Sequence, residues 1–125
     1  MVLVDPVKEP GIVCDRRAER MLAFLERCAG APENALALLF PQHRTLLKIL
    51  RGSGYARRCW KPGGEPFWCP ASKPVPDDNS YDARCALGWL ICRIYEAGGR
   101  VEGKEALFGN RRLLIAGVPP RPKGG

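Results

Sequence analysis

Hydrophobic positions in the first third of the chain repeat at the three- and four-residue spacing of α-helices. Residues 16–28 place apolar side chains on one face and charged side chains on the other, which predicts an amphipathic helix. Asp15 is a suitable N-cap residue for this helix, and Gly30 is a suitable end. A shorter run, from Pro32 to Phe40, is apolar on most sides. It predicts a second helix packed between two others, with proline in its first turn.

A third helix is predicted immediately after Pro41. Its apolar stripe consists of Leu46, Leu47, Ile49 and Leu50. The opposite, polar face holds Gln42, His43, Arg44, Thr45, Lys48 and Arg51. Gly52 and Gly54 should end this helix, because glycine readily adopts the positive φ angle that helix ends commonly need.

An aromatic-rich β-hairpin is predicted next. Residues 55–61 and 65–69 read as two strands, and Pro62-Gly63-Gly64 reads as the tight turn that joins them. Between Pro41 and Gly64 the sequence contains six Lys or Arg residues and no Asp or Glu, although the chain as a whole has 13 acidic residues. Positive charge is therefore concentrated on the third helix and the hairpin.

The remaining segments divide the chain further. Residues 1–14 read as a loosely ordered arm with a short strand at 2–4, and the proline-rich residues 71–79 read as a linker. Residues 80–118 predict a helix over 81–97, followed by two strands, 100–107 and 111–118, joined at Gly109-Asn110. Residues 119–125 predict a disordered tail.

The predicted helix at 81–97 is apolar on more than one face. Such a helix needs two neighbours. One is the N-terminal helical unit, and the other is either the hairpin that follows or a second copy of the chain. A homodimer formed through residues 81–95 is therefore a further prediction.

Residues 15–70 resemble a winged helix-turn-helix domain. The matching segments, in order, are RRAERMLAFLERC, PENALALLF, QHRTLLKILRGSGY and YARRCWKPGGEPFWC. The resemblance implies an α+β fold of three helices plus a β-hairpin wing, followed here by the C-terminal helix and hairpin. With the proline-rich link and C-terminal unit included, the chain is also similar to replication-relaxation proteins of plasmids and mobile elements. The turn before helix 3, with Pro41 at the bend, departs from the usual helix-turn-helix pattern.

Net charge, hydropathy and cysteine content limit the kind of partner and the cellular compartment. The chain carries a net charge of +7 with a sequence pI near 9.4, which favours an acidic partner, either nucleic acid or an anionic surface. A run of about 18 apolar residues, which a membrane span requires, is absent, and the N-terminal sequence lacks a secretory signal. We therefore expect a cytoplasmic protein without a membrane partner. Its six cysteines should be reduced.

The resemblance and the charge together predict double-stranded DNA as the partner, although the same basic segment would also suit RNA. Helix 3 would enter the major groove, where Arg44 and Lys48 could meet guanine acceptors and Gln42 could meet adenine. Arg57, Arg58 and Lys61 would contact phosphates or the minor groove. The complete predicted DNA-binding set is Gln42, His43, Arg44, Thr45, Lys48, Arg51, Arg57, Arg58 and Lys61. The structural alternative is a solvated basic surface.

Catalysis, a cofactor and a metal site are not expected. His43 is the single histidine and has no acidic residue near it in sequence that could orient it. The one enzymatic signal is Asp77 with Glu102 and Lys104, which echoes the metal-binding elements of restriction-type nucleases. The favoured interpretation is a DNA-binding regulator of transcription, or a replication-control protein of a plasmid or phage. The alternatives are a protein-interaction winged helix and, last, a metal-dependent nuclease.

Overall fold

The computed structural model describes residues 1–115, which form an α+β fold with four helices and two antiparallel sheets. The helices are α1 (Arg16–Cys28), α2 (Glu33–Leu36), α3 (His43–Gly52) and α4 (Tyr81–Glu96). The strands are β1 (Leu3–Val4), β2 (Ala31–Pro32), β3 (Ala56–Trp60), β4 (Phe67–Pro70), β5 (Arg100–Glu102), β6 (Glu105–Phe108) and β7 (Arg111–Leu114). The predicted tail at 119–125 and the predicted strand end at 116–118 lie outside the described residues.

Helix α1 begins and ends where the sequence predicts. The Asp15 carboxylate accepts hydrogen bonds from the backbone N–H groups of Arg17 (2.8 Å) and Ala18 (3.1 Å), which satisfies the helix N-terminus. The bond from Ala18 N–H, with further help from Arg17, lowers the pKa of the Asp15 carboxyl. After the helix, Gly30 has a φ of 111°, and a Cβ there would lie 2.6 Å from the Phe67 ring. Only glycine lets β2 approach β4 this closely.

The first sheet has the strand order β1-β3-β4-β2, and all its pairs are antiparallel. The strand β2 lies between α1 and α2 in sequence and pairs with β4, so Ala31 lies opposite Trp68. Strand β1, from the N-terminal arm, pairs with the other side of the hairpin and places Leu3 opposite Trp60. The short strand predicted at 2–4 is present as β1, and its pairing ties the arm to the sheet, which the predicted loose order of residues 1–14 did not anticipate.

Helix α2 is much shorter than predicted, because it covers only Glu33–Leu36 rather than the run to Phe40. The next backbone bonds span three residues, from Leu38 N–H to Ala35 C=O (3.0 Å) and from Leu39 N–H to Leu36 C=O (3.1 Å), so the chain tightens into turns. Pro41 disfavours helical geometry at the preceding residue. Phe40 still packs inward, with its ring centroid 5.9 Å from that of Phe24.

The two faces of the first sheet are both covered. One face contributes Ala56 and Trp68 to the main core, which also includes the buried sides of α1, α3 and α4. The opposite face contributes Cys59, Phe67 and Cys69 to a second core around Tyr81. Val75 packs against this second core, so the predicted linker at 71–79 lies against the sheet. The N-terminal helices and the C-terminal unit are thus joined by side-chain packing.

Helix α4 crosses β2 at Gly88, where a Cβ would lie 2.6 Å from Pro32 Cδ. Its other side packs on the second sheet, whose order is β5-β6-β7. The apolar coverage of residues 81–95 is therefore explained by two neighbours within one chain. The following hairpin is therefore one of these neighbours, and the homodimer through residues 81–95 stays a prediction.

The second sheet has three strands where the sequence predicts two. The predicted strand 100–107 folds back on itself, because Gly103 has a φ of 60° and reverses the chain between Glu102 and Glu105, which lie opposite each other. The second turn, at Gly109, lies where predicted and joins β6 to β7. Over residues 1–115, every helix falls short of the length or the hydropathy that a membrane span needs.

Candidate nucleic-acid interface

Helix α3 presents a basic face that is open to solvent. Leu46, Leu47 and Leu50 are buried against the core, which leaves Arg44, Thr45 and Lys48 exposed on the opposite side. Arg44 and Lys48 are one turn apart and therefore neighbours on the helix surface. Within residues 1–115, none of the three exposed side chains takes part in a hydrogen bond or ion pair. Their donors are available to an external partner.

Arg51, the next basic residue on this stripe, is already paired. Its guanidinium binds the Asp5 carboxylate in a two-pronged contact, with Nε 2.9 Å from Oδ2 and Nη2 3.0 Å from Oδ1. The Asp5 side chain is 8% exposed, whereas 47% of the Arg51 side chain is accessible. Arg51 thus combines an internal structural contact with a partly accessible surface.

Arg57 and Arg58, on β3, also hold the N-terminal arm. The Arg57 guanidinium donates two hydrogen bonds of 3.2 Å to the Asp5 backbone carbonyl. The Arg58 backbone N–H donates to the Asp5 carboxylate (2.9 Å), and the Arg58 side chain stacks on Trp60, 4.8 Å from its ring centroid. Both arginines are half-buried, and part of their donor capacity is used within the chain. Their contact with phosphates or the minor groove stays a prediction.

The hairpin turn is folded toward α4. Lys61 Nζ lies 5.6 Å from the centroid of the Tyr81 ring and 3.9 Å from Asp82 Oδ1, and its side chain is only 27% exposed. Beyond the turn, Trp89 Nε1 donates to Glu65 Oε1 (3.1 Å), and the Tyr81 hydroxyl donates to the Glu65 carbonyl. The hairpin is consequently a packed element rather than a projecting basic arm.

At the start of α3, the side chains of Gln42 and His43 are less available to a partner than those on the exposed face. The Gln42 side-chain carbonyl accepts a hydrogen bond from the Arg17 guanidinium of α1, and His43 is half-buried. Arg17 and Arg20 lie beside this corner and line a shallow cavity of about 490 Å³ with Phe40. The sequence pattern places both arginines on the charged face of the first predicted helix. Nothing in their spacing indicates that they meet the start of α3.

A second concave surface lies at the other end of α3. It has a volume of about 460 Å³ and includes four basic residues, namely Lys8, Lys48, Arg51 and Arg57. Lys8 comes from the N-terminal arm and was not among the predicted site residues. The signal that could have found it is weak, because the pairing of Asp5 with Arg51 joins residues 46 positions apart.

The cysteines form no disulfide, and all six are free thiols. Burial raises the pKa of Cys28 and Cys85 to about 11, and of Cys59 and Cys92 to about 12, so these thiols are protonated near neutral pH. In the described chain, no cluster of three or more His, Cys, Asp or Glu residues could hold a metal ion.

Along the chain, α4 lies between Asp77 and the other two residues of the nuclease alternative, Glu102 and Lys104. Asp77 caps the approach to this helix, where its carboxylate accepts a 2.8 Å hydrogen bond from Ser80 N–H. Interactions with Ser80 lower the pKa of the Asp77 carboxyl. Glu102 follows the helix and pairs with Arg100 at 3.0 Å. Each carboxylate thus has a local structural partner.

Comparisons with known proteins identify no family or function for this chain, so any assignment rests on the geometry described above. No protein-family model matches the sequence, and searches of curated proteins and of solved structures found no match.

Proposed function

We propose that the protein is a winged-helix protein that binds double-stranded DNA through α3. The chain order α1-β2-α2-α3-β3-β4, with β2 paired to β4 and a hairpin after the third helix, supports the winged-helix assignment. The observation that carries the proposal is the exposed face of α3, on which Arg44, Thr45 and Lys48 have no partner among residues 1–115. Charged donors on an accessible helix face suit the acceptors of the DNA major groove.

In this proposal Arg44 and Lys48 read bases. An α-helix with its side chains is about 10–12 Å across, which suits the width of the major groove, about 12 Å. An arginine can donate two hydrogen bonds to guanine O6 and N7, and lysine can reach the same acceptors. Thr45 lies between them in sequence and offers a hydroxyl and a methyl group. The Gln42 amide is held by Arg17, so contact with adenine would first require release of that hydrogen bond.

The proposed biological role is regulation of transcription, or of replication of a plasmid or phage, without catalysis and without a cofactor. A homodimer would place two copies of α3 on inverted half-sites. The surface available for it within residues 81–95 is narrow, because Leu90 is the one large apolar side chain there that is substantially exposed, at 43%. Dimerisation therefore remains a prediction that is separate from DNA binding.

The proposal is tested by selection from a randomised duplex pool, followed by sequencing. We expect the wild-type protein to enrich a defined motif, and a variant with Arg44→Ala and Lys48→Ala to lose that preference. A control with Lys73→Ala and Lys104→Ala removes the same charge from exposed positions outside α3. If no motif emerges, or if both double variants select the same motif as the wild type, the proposed role of α3 is wrong.

The second candidate function is protein interaction. Two observations favour it: the hairpin cations are engaged internally, and β7 exposes Leu113 and Leu114, the latter at 75%. Apolar side chains on an outer strand are typical of interaction surfaces. This function predicts weak DNA binding that is strongly salt-sensitive and lacks sequence preference. It also predicts that neutralising Arg44 and Lys48 has little effect on the biological activity.

A further inference from the structure

The N-terminal arm is fixed along the C-terminal end of α3. Beyond β1, the Gly11 backbone N–H donates to the Ser53 carbonyl (2.8 Å), and the Tyr55 hydroxyl donates to the Gly11 carbonyl (2.7 Å). A Cβ at Gly54 would lie 2.8 Å from the Glu9 carbonyl oxygen, so the arm passes in direct contact with the backbone after α3. These contacts hold residues 5–11 in one path.

Asp5 is the centre of this attachment. It is the one buried charged residue among the side chains of residues 1–115, with 7% of the residue exposed. Its carboxylate accepts from Arg51 and from the Arg58 N–H, and its carbonyl accepts from Arg57. A buried carboxylate requires such partners, because removing it from water without them is costly. Asp5 therefore ties the arm to both α3 and β3.

This attachment builds the basic groove. The arm supplies one wall, with Asp5, Pro6, Val7 and Lys8, and α3 supplies the other, with Lys48 and Arg51. Lys8, Lys48, Arg51 and Arg57 bring four positive charges to the groove, and Asp5 offsets one of them. Lys8 and Lys48 have no ion-pair partner in the described part of the chain. Concentrated positive charge on a concave surface attracts polyanions.

We propose that the N-terminal arm is part of the nucleic-acid surface, where Lys8 contacts DNA backbone phosphates beside Lys48 and Asp5 acts as a positioning residue. This inference rests on the proposed function, because the groove continues the exposed face of α3. Asp5 would hold Arg51 and Arg57 at the groove and keep Lys8 next to Lys48. Lysine contacts to phosphate add affinity without base specificity.

The sign of the Asp5 effect separates positioning from simple charge. Replacing Asp5 by Ala makes the protein more positive, so long-range attraction alone would tighten DNA binding. If Asp5 positions the groove, Asp5→Ala instead weakens binding, by about tenfold, and lowers the dependence of affinity on salt concentration. Glu9→Ala is the matched control, because it makes the same charge change at an exposed residue of the same arm.

A second variant tests the contact itself while leaving Asp5 and its partners intact. Lys8→Ala should weaken binding to all duplex sequences about equally and lower the slope of log affinity against log salt by about 0.9, the value for one phosphate contact. The same change at Lys73 is the control. Thermal unfolding of each variant, with binding measured well below the transition, ensures that folded protein is compared.

The measurement is fluorescence anisotropy with a labelled duplex at several salt concentrations. The proposal is supported if Asp5→Ala binds more weakly than both the wild type and Glu9→Ala, and if Lys8→Ala lowers the salt slope. It is overturned if Asp5→Ala binds as tightly as Glu9→Ala and Lys8→Ala keeps the wild-type slope. Failure of the wild type to bind duplex DNA at all would instead refute the proposed function, and the arm contact with it.

Discussion

Helix α3 and the β3–β4 hairpin are both rich in positive charge, yet the structure uses their charges differently. On α3, Arg44 and Lys48 project from an exposed face without partners in residues 1–115. On the hairpin, Arg57 binds the Asp5 carbonyl, Arg58 stacks on Trp60, and Lys61 lies over Tyr81. The comparison teaches that a basic stretch of sequence is not one surface. Its cations divide into those that hold the fold and those that remain available to a ligand.

Loss of an internally paired cation should lower stability more than loss of an exposed cation on the same helix. We predict that Arg51→Ala lowers the free energy of unfolding by about 1–3 kcal/mol, because it leaves the buried Asp5 carboxylate with fewer partners. The cost is below that of a fully buried pair, since 47% of the Arg51 side chain is exposed.

Urea unfolding of Arg51→Ala and Arg44→Ala checks this difference within one helix. Arg44→Ala should change the free energy of unfolding by less than about 0.5 kcal/mol, because its side chain is exposed and unpaired in the described chain. If the two variants were equally stable, the contact with Asp5 would not make Arg51 more important for stability than Arg44.

Burial of the hairpin should also make the free energy of unfolding depend on pH. Burial raises the pKa of Cys59, on β3, to about 12, from an ordinary value of 9.0. The folded state therefore keeps the thiol protonated while the unfolded state ionises. Stability from this thiol is complete below pH 9 and is lost as pH rises towards 12, at about 1.4 kcal/mol per pH unit.

Urea unfolding between pH 8 and pH 11 measures this loss. In Cys59→Ala, the free energy of unfolding should fall less steeply with pH, by about 1.4 kcal/mol per pH unit, because one proton fewer is released on unfolding. The exposed Cys14, replaced in the same way, provides the control for the loss of a cysteine. A decline that is identical in all three proteins would contradict burial of the Cys59 thiol.

The smallest effect is expected at the hairpin turn. Lys61→Ala should reduce duplex affinity by less than about threefold, because the Lys61 side chain is only 27% exposed and is directed towards Tyr81 and Asp82, so it adds little to the phosphate contacts. Lys48→Ala should cost more. Anisotropy titrations of both variants with one duplex make the comparison, and an equal loss would place the hairpin in the interface after all.

Local patterns predicted the local elements. The apolar spacing and the Asp15 cap predicted α1, the stripe around Leu46 predicted α3, and the Pro62-Gly63-Gly64 turn predicted the hairpin. The exposed residues of the candidate site followed from the same periodicity. Each of these features depends on residues within a few positions of one another.

What sequence reasoning missed depends on contacts between distant residues or on backbone geometry. The docked arm requires Asp5 to meet Arg51 and Arg57, and β2 requires Gly30 to admit β4. The apolar run after Pro32 matched a helix, but turns before Pro41 shorten it. Gly103 divided one predicted strand into two because its positive φ angle reverses the chain. The hydrophobic periodicity of a segment does not indicate its distant contacts or the backbone angle of a single residue.

The most direct test of the central claim compares two double variants of equal charge on the duplex enriched by selection. One carries Arg44→Ala with Lys48→Ala, and the other carries Lys73→Ala with Lys104→Ala. If the exposed face of α3 reads DNA, the first variant should lose about a hundredfold in affinity, whereas the second should lose only a few-fold through its reduced charge. Equal losses in the two variants would contradict the account, because charge alone would then explain the binding.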